Sequence, residues 1–265
     1  MGTGPPGGHA DSGLACNGRR ARVRHRSSAD ESWSGSRLPG QPACADTISV
    51  RRHHGWSVHG PDRRRRRAAI IDLLAALHSA TPEGFQVPSR PLELGATRQI
   101  IDQALASVGV PWNGGPYAEL GRDLLARYER PLRQAFARFD GLLDRVREAG
   151  GPFVITHGEP HPGNLLRTRT GLRLVDWDQT ALARPERDLW WVISGDQDAA
   201  RYSSRTGWTV NQDALDLYRL RWGLDDTAEF LSVIRGPHER TADTLVSWTG
   251  LQQTLVAIAE GLKTP

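Results

Sequence analysis

The stretch THGEPHPGN (residues 156–164) places two histidines, a glutamate and an asparagine within nine residues, separated by two prolines. In an extended segment alternate side chains share a face, so His157, Glu159 and His161 are candidates for a common metal site. Pro160 and Pro162 exclude a helix, and with it the helical H-E-x-x-H zinc arrangement. No further ligand follows at a recognisable spacing, so the sequence disfavours a zinc site.

A second interpretation of the same stretch uses Glu159 and Asn164, followed after a short hairpin by Asp176 and Asp178. Transfer of a phosphoryl group needs a carboxylate that accepts the proton of the attacking hydroxyl, together with oxygen ligands for Mg²⁺. Glu159 is then the candidate base, and Asn164 and Asp176 are the candidate ligands. Asp178 is a candidate second metal contact, although it would serve equally well to end the strand.

The positive charge of the chain is concentrated at its beginning. The overall pI is 9.6, but residues 1–67 hold 13 arginines and five acidic residues, whereas residues 68–265 hold 21 basic and 25 acidic residues. An acidic body is better suited to a cationic small molecule than to a phosphate backbone. Nucleic acid is therefore a disfavoured partner for the main part of the chain.

Residues 1–65 read as a low-complexity leader rich in arginine, glycine and serine. Such a composition buries too little apolar surface to offset the entropy of ordering, so we expect disorder. An artefact of a wrongly assigned start or reading frame is a further interpretation. The arginine clusters also leave open a role of the leader in nucleic-acid binding.

Cellular location follows from what the sequence does not contain. Cys16 and Cys44 are the two cysteines and lie far apart, which favours neither a disulfide scaffold nor a cysteine zinc site. The sequence has no apolar run of roughly 18 residues that would span a membrane, and no apolar segment typical of a secretion signal. A reducing cytoplasm is the expected compartment.

The periodicity from residue 66 onward predicts an α+β fold. AAIIDLLAALH has apolar residues at helical spacing, and a longer helical pattern covers residues 120–146, with Pro131 expected to break or kink it. Residues 153–155 predict a short strand, and residues 164–167 and 172–175 predict a hairpin. Further helices are expected at about 186–195, 211–222, 226–235 and 239–262.

Three ordered motifs, HGEPHPGNLL, LVDWD and PERDLWW, resemble the aminoglycoside phosphotransferase family, whose members are relatives of the protein kinases. The resemblance extends upstream through WNGGPYAEL and DLLAALH, and so covers about residues 66–265. It implies a protein-kinase-like fold, mainly the helical C-terminal lobe with a small β-hairpin. It also implies ATP or GTP and Mg²⁺ as cofactors, and a hydroxyl of a small molecule as phosphate acceptor.

The resemblance assigns roles to individual residues. Glu159 lies at the catalytic-base position, where this family usually has aspartate, and Asn164 and Asp176 match the Mg²⁺ ligands. His157 and His161 are expected to fix the shape of the loop. Asp188, in the third motif, matches an aspartate that braces the catalytic loop.

The N-terminal half of a kinase-like active site has no counterpart in the pattern. Such enzymes need a glycine-rich cover and a lysine that reaches the nucleotide phosphates, but the single lysine of the chain is Lys263, so the N-lobe ATP-binding lysine is absent from its place. Residues 2–7 match G-x-G-x-x-G without a preceding strand and with two internal prolines, which indicates a chance match. We therefore expect the nucleotide-binding lobe to be missing or replaced.

The resulting functional prediction is an ATP-dependent O-phosphotransferase that acts on a small molecule such as an aminoglycoside-type antibiotic, and thereby confers resistance. The chain is expected to be a truncated copy whose own activity is open. Two alternatives are a non-catalytic kinase-like binding module and nucleic-acid binding through the arginine-rich leader.

Overall fold

The computed structural model describes residues 63–81 and 86–261. Most of the predicted leader, the glycine motif at residues 2–7, both cysteines and Lys263 lie outside these residues. The described part contains seven α-helices and four short strands, in the order α1 (Arg63–His78), α2 (Ala96–Ala106), α3 (Ala118–Ala149), β1 (Val154–Thr156), β2 (Leu165–Thr168), β3 (Gly171–Leu174), β4 (Ala181–Ala183), α4 (Glu186–Leu189), α5 (Asp196–Thr206), α6 (Gln212–Arg235) and α7 (Ala242–Ala259).

The strands form two small antiparallel sheets on either side of the THGEPHPGN loop. β2 and β3 make a hairpin in which Leu165 lies opposite Leu174, as the sequence predicts. β1 pairs with β4, and Ser89 adds an isolated parallel bridge to Leu182. A mainly helical structure with small sheets confirms the predicted α+β class. β4 was not predicted, because three residues containing two alanines carry too little strand propensity to register.

Two hydrophobic clusters hold these elements together. The larger joins α2, α3, α6 and α7, and includes Phe139 of α3 and Leu224 of α6. The smaller joins α1 to the hairpin and to the segment that follows, and includes Leu74 and Leu165. β3 of the hairpin rests on α1, and Leu165 of β2 belongs to the same cluster, which positions the loop that enters the hairpin.

Helix α3 is continuous through Pro131, so the expected break is not present. A proline inside a helix costs roughly 3 kcal/mol. Burial of one leucine or phenylalanine side chain contributes about 1.5–3 kcal/mol, and α3 buries Leu125 before the proline and Leu132 and Phe136 after it. Packing on both sides of Pro131 outweighs the lost hydrogen bond.

The C-terminal helices differ from the prediction in their boundaries. The helices expected at 211–222 and 226–235 are one helix, α6, which passes through the buried Gly223. The helix expected at 186–195 is limited to the short α4, and α5 was missed. Tyr202 is the single fully buried residue of α5, so its apolar periodicity is too weak to be read. No helix within the described ranges has the length and apolar character needed to cross a bilayer.

Candidate active site

A buried carboxylate fixes the loop that follows β1. Asp188 of α4 is fully buried, and its two oxygens accept hydrogen bonds from the backbone N–H groups of His157 and Gly158, each at 2.7 Å. Behind it, Nε2 of His78 lies 3.2 Å from the same carboxylate, and Nδ1 of His78 lies 2.9 Å from the hydroxyl of Tyr202. Elements α1, α4 and α5 thus all contribute to the position of the loop.

His157 uses both of its ring nitrogens within the loop. The N–H of Glu159 approaches Nδ1 at 3.3 Å, and because that N–H can only donate, Nδ1 is the acceptor. Nε2 then carries the hydrogen and donates to the carbonyl of Val175 at 3.0 Å. A ring engaged in this way has no free nitrogen for a metal, and it connects the loop to the end of β3.

Gly158 is required by the neighbouring Arg187. Its φ of 95° is a left-handed conformation that side chains rarely adopt, and a Cβ at this position would overlap the Arg187 guanidinium. The guanidinium is buried and donates to Oγ1 of Thr156 at 2.8 Å. Burial lowers the pKa of Arg187, while the adjacent Asp188 counteracts that shift.

The second half of the loop is a 3-10 turn, Pro162–Asn164, that orients the side chain of Asn164. Nδ1 of His161 accepts from the N–H of Gly163 at 3.1 Å and so caps the turn. The amide nitrogen of Asn164 donates to the carbonyl of Glu159 at 3.0 Å. The amide oxygen of Asn164 accepts no hydrogen bond from any other described residue.

Asp176 lies beside this turn, because the carbonyl of Asn164 accepts the N–H of Val175 at 3.0 Å. Asp176 is exposed and has a φ of 66°, the one positive value of a non-glycine residue in the described ranges. Backbone strain of this kind recurs at functional sites. Trp177 covers His157, with their ring centres 4.8 Å apart. Asp178 is exposed, and no hydrogen bond or ion pair joins its side chain to another described residue.

The zinc arrangement considered from the sequence is not assembled. Within residues 63–81 and 86–261, no group of three or more His, Cys, Asp or Glu side chains is placed to hold a metal ion. The predicted Mg²⁺ site is of a different kind from such a group. It would combine the amide oxygen of Asn164 with the carboxylate of Asp176. Both groups are oxygen donors of the kind that Mg²⁺ prefers, and neither is committed to a basic partner in the described chain.

Glu159 opens onto a cleft of about 400 Å³. Besides the loop that carries Glu159, the cleft is lined by side chains of α6 and by side chains from residues 90–100. Arg221 of α6 connects these two walls, since its Nη1 donates to the carbonyls of Pro91 and Leu92 at 2.8 and 3.1 Å. Among the described residues, the Glu159 carboxylate has no hydrogen-bond or ion-pair partner, so it is free to contact a molecule in the cleft.

Aromatic and acidic side chains dominate the α6 wall. Trp222 lies next to Trp190, with ring centres 5.7 Å apart, and both line the cleft. Trp190 is partly buried, because it packs against the smaller hydrophobic cluster and also lines this wall. The other α6 residues at the wall are Tyr218, Arg221, Asp225, Asp226, Ala228 and Glu229. Their recurrence every three or four residues is the sequence signal that could have identified them.

Four aspartates of the C-terminal half are candidates to attract a cation, and the structure separates them. Asp225 and Asp226 line the cleft with Glu159. Asp198 instead pairs with Arg67 at 3.1 Å, and Asp196 lines a different depression beside α5. Only the α6 pair is placed to act on a molecule near Glu159.

Asp226 is the acid of the cleft whose ionisation is most perturbed. Its side chain is partly buried, and burial, reinforced by the charges of Glu229, Asp225 and Glu159, raises its pKa from 3.8 to about 7. A carboxyl of this kind exchanges its proton near neutral pH. Strongly shifted groups in clefts are typical of functional sites.

Comparison with known proteins identifies the group to which this site belongs. The sequence model of the phosphotransferase enzyme family (APH) matches residues 36–230, which is well over half of the chain. The chain belongs to this phosphotransferase family. The resemblance seen in the three motifs is thereby confirmed. The match begins at residue 36, upstream of the start at about residue 66 that the motifs indicated, and its first part lies outside the described residues.

Individual relatives of this phosphotransferase-family chain agree with that assignment. It is 32% identical over 197 residues to protein StrN of Streptomyces griseus, and this alignment covers 70% of the chain and 58% of StrN. Among solved structures it resembles spectinomycin phosphotransferase APH(9)-Ia in complex with ADP and spectinomycin, with a TM-score of 0.59 and 16% identity, over 74% of the chain and 64% of that structure. The chain thus spans under two thirds of the length of both proteins.

The structural likeness confirms the fold prediction at the level of the kinase-like phosphotransferase fold. The absence of the N-terminal nucleotide-binding lobe stays a prediction, as do the roles of Glu159, Asn164 and Asp176. His157, His161 and Asp188 are hydrogen-bonded within the loop or to it, which is the arrangement that a loop-supporting role requires.

We expect Asp188→Asn to destabilise this family member by about 2–4 kcal/mol, because one amide oxygen cannot accept from both buried N–H groups. Asp213→Asn is the matched control, since Asp213 forms an exposed ion pair with Arg145 on a distant surface, and should cost about 1 kcal/mol or less. Urea unfolding of both variants measures the difference. Equal losses for the two variants would show that Asp188 does not organise the loop.

We expect Asp226→Asn to raise the free energy of unfolding at pH 8. The native pKa of Asp226, about 7, is above the value of about 4 of an unfolded aspartate, so ionisation in the native state costs stability. The gain should be absent below about pH 4, grow up to about pH 7 and stay constant above it. It should reach roughly 1–2 kcal/mol after allowance for solvent around a partly buried group.

Denaturant titrations of the wild type, Asp226→Asn and Asp213→Asn between pH 4 and 8 measure this dependence. A stability difference between wild type and Asp226→Asn that does not change with pH would contradict the raised pKa.

Proposed function

We propose that this chain carries the catalytic loop and acceptor cleft of an ATP-dependent O-phosphotransferase that acts on a hydroxyl of a small molecule, such as an aminoglycoside-type antibiotic. The observation that supports this most directly is the free Glu159 carboxylate at a cleft of about 400 Å³, on a loop fixed by Asp188. Family membership supports phosphoryl transfer as the reaction. The size and enclosure of the cleft favour a small acceptor over a protein surface.

Glu159 would act on the acceptor hydroxyl. The hydroxyl oxygen forms a bond to the γ-phosphorus of ATP while the bond from that phosphorus to the bridging oxygen of ADP breaks. The hydroxyl proton passes to the Glu159 carboxylate, which has no competing partner in the described chain. Glutamate at this position has one methylene more than the aspartate usual in the family, so it reaches further into the cleft from the same backbone position.

The fixed loop would orient the Glu159 carboxylate toward the acceptor hydroxyl. Alignment of the reacting oxygen with the phosphorus is a large part of catalysis in phosphoryl transfer. The hydrogen bonds of Asp188 to His157 and Gly158, and of Asn164 to the carbonyl of Glu159, hold both sides of the Glu159 backbone. The carboxylate is thereby presented from a rigid segment.

Asn164 and Asp176 would hold Mg²⁺, through the amide oxygen that the hydrogen bond to Glu159 leaves free and through an exposed carboxylate. When bound, the ion neutralises charge that develops on the nucleotide phosphates. Asp178 is a candidate second contact from the same segment. ATP or GTP would serve as the phosphoryl donor. The structure of the similar spectinomycin phosphotransferase contains ADP. A requirement for nucleotide is consistent with a cytoplasmic location.

The 265-residue sequence offers no lysine in the place where a kinase-like fold binds the nucleotide phosphates. The chain has one lysine, Lys263, near its end, and arginine does not reproduce the compact charge of a phosphate-binding lysine. We therefore propose that residues 66–265 form the acceptor lobe of the enzyme. A non-catalytic binding module is the alternative that the missing lysine favours.

If Glu159 is the base, Glu159→Gln should lower kcat for any accepted substrate by at least about 100-fold, because general base catalysis contributes roughly 10²–10⁴. The free energy of unfolding should change by less than about 0.5 kcal/mol, because the carboxylate has no hydrogen-bond or ion-pair partner among the described residues. Glu148→Gln, at an exposed position of α3, is the control. A coupled ADP-release assay with an antibiotic panel measures both variants, and turnover retained in Glu159→Gln would remove Glu159 from this role.

If the nucleotide lobe is missing, the chain should bind ATP with Mg²⁺ weakly or not at all. Titration calorimetry measures this, and a micromolar dissociation constant would contradict the prediction. A parallel acceptor screen with ATP and GTP, on this chain and on a version with an N-terminal kinase-like lobe added, separates an inactive fold from an incomplete one.

A further inference from the structure

Arg187 of α4 is a buried cation that opens onto the cleft. It is 7% exposed, and it lines the cleft together with Glu159. Its Nη1 donates to the hydroxyl oxygen of Thr156 at 2.8 Å, and that hydroxyl donates its own proton to the carbonyl of Ala181 at 2.8 Å. Thr156 therefore holds the guanidinium in place, but a neutral hydroxyl does not compensate the charge.

The charge of Arg187 has no carboxylate partner, unlike that of the other two buried arginines of the described residues. Nε of Arg184 lies 3.6 Å from Glu186, and Nε of Arg221 lies 3.3 Å from Asp225. No carboxylate of the described chain lies within ion-pair distance of the Arg187 guanidinium. Because a buried charge without an opposite charge is unfavourable, this position indicates an anion that the described residues do not provide.

The adjacent Asp188 is engaged elsewhere. Its two oxygens accept from the N–H groups of His157 and Gly158 at 2.7 Å each, and one of them also lies 3.2 Å from Nε2 of His78. Asp188 therefore acts on Arg187 through its charge alone, without a direct contact between the two side chains.

The three arginines that line the cleft have one carboxylate partner between them. Arg90 and Arg221 share Asp225, at 3.7 and 3.3 Å. Burial is the main reason that the pKa of Arg187 is lowered, and the charges of Arg90 and Arg221 add to that shift. Arginine nevertheless stays protonated in proteins, so an anion bound at Arg187 would be attracted by a permanent charge.

The free donors of Arg187 lie next to the candidate base. Nε and Nη2 make no hydrogen bond to a described residue, and both retain solvent-accessible surface. A Cβ on Gly158 would overlap Nη2, so this nitrogen packs against the residue that precedes Glu159. Glu159 and Arg187 line the same cleft without forming an ion pair. A base and a cation that are held apart in this way leave room for a molecule that both can contact.

We propose that Arg187 binds the phosphoryl group while it passes from the nucleotide to the acceptor hydroxyl. Two N–H groups of a guanidinium match two oxygens of a phosphoryl group, and such a bidentate pair is stronger than a neutral hydrogen bond. Arg187 would then be a further catalytic residue beside Glu159. This inference rests on the proposed function, since it assigns a second role in the same reaction to the same cleft.

Arg187 would take part in the step as a fixed charge. The bond from the acceptor oxygen to phosphorus forms, the bond from phosphorus to the bridging oxygen of ADP breaks, and the hydroxyl proton goes to Glu159. Arg187 keeps its protons and its charge throughout. Negative charge on the non-bridging oxygens of the transferred group is best stabilised by donors that are already in position, and the contacts with Thr156 and Gly158 hold the guanidinium there.

Inorganic phosphate is the probe for this site, because it carries the oxygens of the transferred group and needs no nucleotide. Phosphate is titrated into the full chain at constant ionic strength, with chloride as the replaced anion, and the arginine Nε–H signals are followed by NMR. Arg187→Lys and Arg184→Lys each identify one signal by its loss. The Arg187 signal should move and saturate, whereas that of the paired Arg184, which does not line the cleft, should stay in place.

Calorimetry of the same titration compares affinities. Arg187→Lys retains the charge but loses one of two parallel hydrogen bonds, so phosphate binding should weaken about tenfold. Arg145→Gln removes an exposed arginine of α3 that pairs with Asp213 outside the cleft, and it should bind phosphate as the wild type does. Urea unfolding and near-ultraviolet circular dichroism establish that each variant is folded.

An Arg187 signal that does not respond, or that moves linearly and no further than the Arg184 signal, would overturn the proposal. Equal phosphate affinity of the wild type and Arg187→Lys would also overturn it, because the guanidinium fork would then not be required. If Arg187→Lys does not fold, backbone assignment identifies the signal in the wild type, and the titration decides. The proposed function fails separately, if phosphate binds at Arg187 but no acceptor is phosphorylated even with the added lobe.

Discussion

The candidate site depends on one carboxylate that accepts two backbone hydrogen bonds. Asp188 holds the N–H groups of His157 and Gly158 from a fully buried position, and every later feature of the loop is set relative to them. A buried charge is tolerated only when its oxygens are satisfied, and here His78 adds a third contact to the two N–H groups. The loop can therefore be irregular, rich in proline and glycine, and still have one conformation.

Helix α6 connects the core to the cleft. Leu217, Leu224 and Leu231 face the large hydrophobic cluster, while Trp222 and Asp226 face the cleft. Because one rigid helix carries both sets, the position of the acceptor wall is determined by core packing and not by a flexible loop. The same arrangement explains why α6 continues through Gly223: a break there would separate the two halves of the wall and of the core.

Sequence patterns located the loop better than they located the cleft. The spacing of Glu159, Asn164 and Asp176 suffices to nominate them as candidates, because these residues are close in the chain and their chemistry is specific. The cleft wall combines residues 90–100 with α6, more than a hundred residues later, and no pattern at short separation reports that these two segments meet. The missed α5 and the continuous α3 have the same cause, since tertiary packing outweighed weak periodicity in one case and a proline in the other.

By itself the sequence determined the family, the α+β class and the candidate chemistry of the loop, because these depend on residue types at short, fixed separations. Only the tertiary structure decided that Asp225 and Asp226 lie near Glu159 whereas Asp196 and Asp198 do not. Only the fold decided that Asp225 pairs with arginines, whereas Asp226 has no basic partner among the described residues. The physical reason is that charge compensation and burial depend on which distant segments meet, and helix packing sets those meetings.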